Sequence, residues 1–130
     1  MGVSVMARPN KEVLEERQNF LQTITECADN PSKFSEVFLN HKLFPYNKQY
    51  VDCKDRFIVY RSGRQVGKTM STAVKAIHFA FFAPLMLKTV GQDCTIVIAA
   101  PTQNQATIMF GRIRDLIMNN DFLKGYVVRN

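Results

Sequence analysis

The tripeptide Gly67-Lys68-Thr69 stands between an apolar run, Phe57-Ile58-Val59-Tyr60, and a long apolar-rich stretch from Met70 to Phe82. Strand, then loop, then helix is the context a phosphate-binding loop requires. A loop that wraps a triphosphate turns its N–H groups inward, which demands residues tolerant of unusual dihedrals and close approach. Gly67 supplies that freedom. The helix behind it presents unpaired N–H groups and a positive dipole end to the anion. Lys68 adds a point charge for the β and γ phosphates, and Thr69 offers a hydroxyl to Mg²⁺. The cradle so predicted comprises Ser62, Gly63, Arg64, Gln65, Val66, Gly67, Lys68, Thr69 and Met70. It is a variant of G-x-x-x-x-G-K-[ST], because Ser62 takes the place of the first glycine and Gly63 comes one residue late. The alternative is a chance match in a basic loop; the flanking strand and helix favour the cradle.

The rest of the chain predicts an α/β unit. Met1 to Pro9 reads as a loose arm. Val13, Leu14, Phe20, Leu21 and Ile24 recur at helical spacing between Lys11 and Cys27, with Asn10 placed to cap that helix. Pro31 ends it and opens a second, short helix carrying Phe34, Val37, Phe38 and Leu39. Phe44 to Asn47 reads as a loop. Arg56 to Tyr60 and Thr95 to Ala100 are continuous apolar runs, read as two buried parallel strands. The helix from Lys68 to about Phe82, followed by a polar turn around Gly91-Gln92-Asp93, would join them in a right-handed βαβ unit. Thr102 and Gln105 then form a capping box for a helix with the stripe Ala106, Phe110, Ile113 and Ile117, and with Arg112 and Arg114 off it.

Composition narrows the partners. With 130 residues, 46% of them hydrophobic, the chain is one domain at most and can bury a core. A net charge of +6 favours polyanionic partners, with a solvated basic surface as the plain alternative. Cys27, Cys53 and Cys94 make no CxxC pair and lie at no metal-ligand spacing to His41 or His78, so they read as reduced thiols. The N-terminus lacks an export-type apolar core, and the stretch from Ala76 to Leu87 is interrupted by His78 and Pro84 and too short to span a bilayer. A soluble protein without membrane contact is expected.

Three features together resemble the N-terminal ATPase domain of the large terminase subunit, the motor that packages DNA into tailed-virus capsids. The first is the loop from Gly63 to Thr69 with its Arg64-Gln65 pair. The second is Gln49, upstream of the first predicted strand, where terminases and related helicases place an adenine-reading glutamine. The third is Ala99-Ala100-Pro101-Thr102-Gln103-Asn104-Gln105-Ala106, similar to the segment those motors use near DNA. The resemblance spans roughly residues 40 to 118 and implies an α/β P-loop NTPase fold, incomplete here. Residues 1–40 would form an N-terminal helical segment, and 41–130 a partial ATPase domain with the first two core strands and their helices. It further implies ATP and Mg²⁺ as cofactors, Arg64 as a cis-acting arginine near the γ phosphate beside catalytic Lys68, and Gln49 as base reader. Gln49 as a surface residue and Arg64 as a solvated loop arginine stay open, and the helix cap is the primary role of Thr102.

The implied partners are double-stranded DNA, the portal protein, the small terminase subunit and further copies in a ring, in the host cell cytoplasm. The chain departs from the family in carrying no Asp-Glu dipeptide, the motif that holds Mg²⁺ and activates water, and no nuclease-type acidic cluster. The expectation is therefore the N-terminal portion of a longer motor, or a short version of it. Its two strands would lack neighbours, leaving unpaired edges and exposed apolar faces. A fragment of a helicase or other translocase, and a nucleotide-binding module without turnover, are the alternatives.

Overall fold

The computed structural model describes residues 10–63, 67–86 and 95–125. Six helices occur among them: α1 (Lys11–Asp29), α2 (Pro31–Val37), α3 (Pro45–Asp52), α4 (Lys68–Met86), α5 (Gln103–Met118) and α6 (Asp121–Lys124). The described residues contain no strand, which overturns the expected α/β P-loop NTPase fold, its parallel sheet and its βαβ unit. Arg56 to Tyr60 and Thr95 to Ala100 are both irregular. Apolar and β-branched composition expresses only a fit to a pleated, half-buried surface, and a strand exists only where a neighbour takes its N–H and C=O groups. Neither run has one among the described residues, and Phe57, Val59 and Val97 are 82%, 88% and 81% exposed. The polar turn read at Gly91 to Asp93 and the arm from Met1 to Pro9 lie outside the described residues.

What holds the fold together is α4, which packs against α1, α2, α3 and α5. It buries Ala73, Val74, Ile77, Phe82 and Ala83 on a wide apolar side. The hydroxyls of Ser71 and Thr72 bond back to the carbonyls of Gly67 and Lys68, at 2.7 and 2.9 Å, so polar residues sit in the first turns without open donors. Cys27 of α1, Phe34 of α2, Ile77 and Phe82 of α4 and Leu123 of α6 form the main core. A second cluster joins Leu43, Val51 and Val74. Residues on both sides of position 40 therefore share one core.

Local chemistry explains where the helices begin and end. Pro31 opens α2 as expected, and the Asn30 side chain accepts from the Lys33 N–H. Thr102 caps α5 by accepting from the Gln105 N–H at 3.3 Å. At α1 the expected side-chain cap is absent: Asn10 contributes only its carbonyl, to Leu14. The apolar side of α1 is covered toward its C-terminal end, where Cys27 is buried and Ile24 packs on the core, while Leu14 and Leu21 are 44% and 61% exposed.

The predicted loop from Phe44 to Asn47 is instead the start of α3, with Pro45 in the first turn where a missing N–H costs nothing. Tertiary contacts hold this short helix. Lys75 of α4 donates to the carbonyls of Val51 and Cys53, at 2.9 and 2.7 Å, covering acceptors that the helix end leaves open. Burial lowers the Lys75 pKa. Asp52, at the last turn of α3, accepts from the backbone N–H and hydroxyl of Ser32, at 2.9 and 2.8 Å, and so caps α2.

His78 is the titratable group most committed to the core. It is 4% exposed, lies against Phe34 and Phe82, and its Nε2 is 2.9 Å from the Cys27 carbonyl, a geometry that requires the neutral Nε2–H tautomer or the cation. Burial lowers its pKa from 6.5, outweighing the carbonyl bond that raises it. The folded state thus binds this proton less readily than the unfolded chain does. The contribution of His78 is present above the unfolded value and is lost as pH falls through the lower folded one. Urea midpoints should therefore fall between pH 7.5 and 5.5, and the fall should be smaller in His78→Gln, which retains a donor. Equal pH slopes in the two proteins would contradict this.

Candidate phosphate-binding site

The segment leading to the loop is anchored on α3. The Tyr60 ring stacks on Tyr50, with centroids 4.3 Å apart and planes 11° from parallel, and its hydroxyl donates to the Asn47 side chain. Tyr50 in turn meets Thr72 of α4 through their hydroxyls at 3.3 Å. These contacts bring Ser62 and Gly63 to the N-terminus of α4.

There Gly67 adopts φ +77°, in the left-handed region that favours glycine, and a Cβ would stand 3.0 Å from Nδ2 of Asn47. A side chain here would be strained by the left-handed backbone and would press on Asn47. Gly63 differs, since a Cβ there meets nothing within 4 Å. Lys68 opens α4, and its ammonium reaches back to the Ser62 carbonyl at 3.4 Å. The first helical bond runs from the Ser71 N–H to the Gly67 carbonyl. The N–H groups of Lys68, Thr69 and Met70 therefore have no acceptor within the helix. Lys68 and Thr69 are exposed, and Met70 is half-buried.

These groups face an open cavity of about 530 Å³, lined by Ser62, Gly63, Gly67, Lys68, Thr69, Met70 and Arg112. Two cations and no carboxylate stand among them. The hydroxyl of Ser62 is buried and has no hydrogen-bond partner among the described residues. An anion in this cavity would give the helix N–H groups an acceptor and Lys68 and Arg112 a counter-charge. Thr69 lines the cavity and is the hydroxyl residue that the loop motif pairs with Mg²⁺. No cluster of three His, Cys, Asp or Glu side chains that would hold a metal by itself occurs among the described residues.

The predicted residues are thus brought together in part. Ser62, Gly63, Gly67, Lys68, Thr69 and Met70 share the cavity, while Arg64, Gln65 and Val66 lie outside the described residues. Gln49 is exposed on α3 and is not in the lining, although Asn47, on the same helix, touches Gly67. Two contributors escaped the sequence. Asn47 fell in a predicted loop, and Arg112 reads only as a polar position on α5 because the packing of α5 on α4, which brings it to the cavity, leaves no trace in local spacing.

A second recess, of about 640 Å³, is lined only by apolar side chains, among them Phe20, Ile77, Phe81, Phe110, Ile113 and Phe122. It offers no polar group to orient a ligand. Among the described residues no helix is long and apolar enough to cross a membrane. Comparison with protein-family models, with curated proteins and with solved structures finds no match for this chain.

Proposed function

We propose that this chain is the nucleotide-binding part of a viral DNA-packaging motor of the large-terminase type, and that it holds ATP with Mg²⁺ at the N-terminus of α4. The observation that carries the reading is one cavity shared by left-handed Gly67, the open first turn of α4, Lys68 and Thr69. Its volume suits a small-molecule ligand, and its charge suits a polyphosphate. The strand expected before the loop does not form among the described residues, so the reading rests on the loop residues and the helix end alone. Mg²⁺ would arrive on the nucleotide and neutralise phosphate charge, with Thr69 as its protein ligand; an ion that keeps waters and substrate oxygens needs few others.

The terminase assignment rests on the Arg64-Gln65 pair within the loop, on Gln49, and on the segment from Ala99 to Ala106. On that assignment the partners are double-stranded DNA, which the net charge of +6 favours, the portal protein, the small terminase subunit and further copies in a ring, in the host cytoplasm. Gln49 would read adenine from α3, and Arg64 would approach the γ phosphate.

The chemistry supports binding without turnover. Hydrolysis needs a positioned water and a carboxylate beside the metal, and neither the cavity lining nor an Asp-Glu dipeptide supplies one. Calorimetry with ATP·Mg²⁺ should detect binding, while phosphate release, with or without duplex DNA, stays at the level of a Lys68→Ala control. Absence of binding would remove the proposed function, and Lys68-dependent release would show that another carboxylate acts as base.

A further inference from the structure

We infer that Arg112 of α5 is a second cationic contact to the polyphosphate, facing Lys68 across the cavity. The inference rests on the nucleotide-binding reading above and adds a residue that the loop motif does not contain. Arg112 lies 44 positions beyond Lys68, yet both line the same 530 Å³ space. The α4–α5 packing sets that juxtaposition, with Ile113, Leu116 and Ile117 directed toward the cores. Arg112 is therefore carried on a helix whose other side is fixed by packing.

Arg112 is exposed. No ion pair involving Arg112 occurs among the described residues, whereas its neighbour Arg114 lies 3.8 Å from the Asp115 carboxylate. A guanidinium presents a planar fork of donors that matches two phosphate oxygens at once, while the Lys68 ammonium acts as a point charge. Lysine, arginine and helix N–H groups thus come together from α4 and α5 at one cavity. Binding would bridge α4 and α5, so a triphosphate would stabilise the fold as well as fill the cavity.

The test uses inorganic tripolyphosphate with Mg²⁺, because that probe carries no base and isolates the phosphate contacts from any effect of Gln49. Its affinity is measured by calorimetry for the whole chain and for Arg112→Gln, Arg112→Lys, Lys68→Ala and Lys124→Gln, with far-UV circular dichroism as the check on folding. Arg112→Gln should weaken binding about tenfold or more, following the loss of a charge-assisted contact. Arg112→Lys should fall between it and the parent, since charge is kept and the fork lost. Lys124→Gln, which removes a charge from outside the cavity lining, should stay within twofold. If Lys68→Ala abolishes binding and Arg112→Gln matches the parent, Arg112 is no contact and the nucleotide site stands without it. If the parent binds no tripolyphosphate, or binds it regardless of Lys68, the site itself is wrong and the inference falls with it.

Discussion

Replacing Lys68 with alanine should weaken ATP·Mg²⁺ binding by at least about 30-fold, which corresponds to about 2 kcal/mol. The ammonium places a full positive charge in the cavity lining, and backbone donors cannot substitute for it. The fold should tolerate the change. Lys68 is exposed, and among the described residues its ammonium makes only the long hydrogen bond to the Ser62 carbonyl, so stability should move by no more than about 0.5 kcal/mol. Calorimetry on the parent, on Lys68→Ala and on Lys124→Ala separates a specific contact from a simple loss of positive charge. Unchanged affinity in a folded Lys68→Ala protein would rule out the phosphate-binding assignment.

Phe34→Ala should have the largest effect on stability. Its ring is fully buried and contacts Phe38, His78 and Phe82 with centroids 5.3 to 5.6 Å away, so truncation removes apolar burial and leaves a cavity at the junction of α2 and α4. Such substitutions cost about 3–5 kcal/mol, a large share of the total stability of an ordinary domain. Phe57→Ala is the internal comparison. That ring is 82% exposed, and its loss should cost less than about 0.5 kcal/mol. Urea unfolding followed by circular dichroism reads both, and equal losses would mean that the described core is not what holds the chain together.

The sequence revealed those features that depend on neighbours in the chain. Pro31 at the start of α2 and Thr102 with Gln105 at the start of α5 act through residues three or four positions away, so their signals were visible. Within the loop, Gly67 was expected to supply conformational freedom and has a left-handed φ, while Arg64, Gln65 and Val66 lie outside the described residues. What failed were readings that depend on distant partners. The run from Arg56 to Tyr60 has strand composition, but composition provides no neighbour to complete a ladder, and the described structure leaves it unpaired. The helix α3 was hidden by turn-type residues at its start, and Lys75, 22 positions beyond Cys53, is what covers its last carbonyls. Arg112 escaped because only the packing of α5 on α4 brings it to the loop.

The most direct measurement is backbone amide chemical-shift mapping of the whole chain during titration with ATP·Mg²⁺. Saturable shifts should centre on Gly67, Lys68, Thr69 and Met70 and extend to Arg112, while the exposed half of α1 stays unchanged. No shift at saturating nucleotide, or shifts confined to the residues around the apolar recess between α1, α4, α5 and α6, would contradict a phosphate site at the N-terminus of α4.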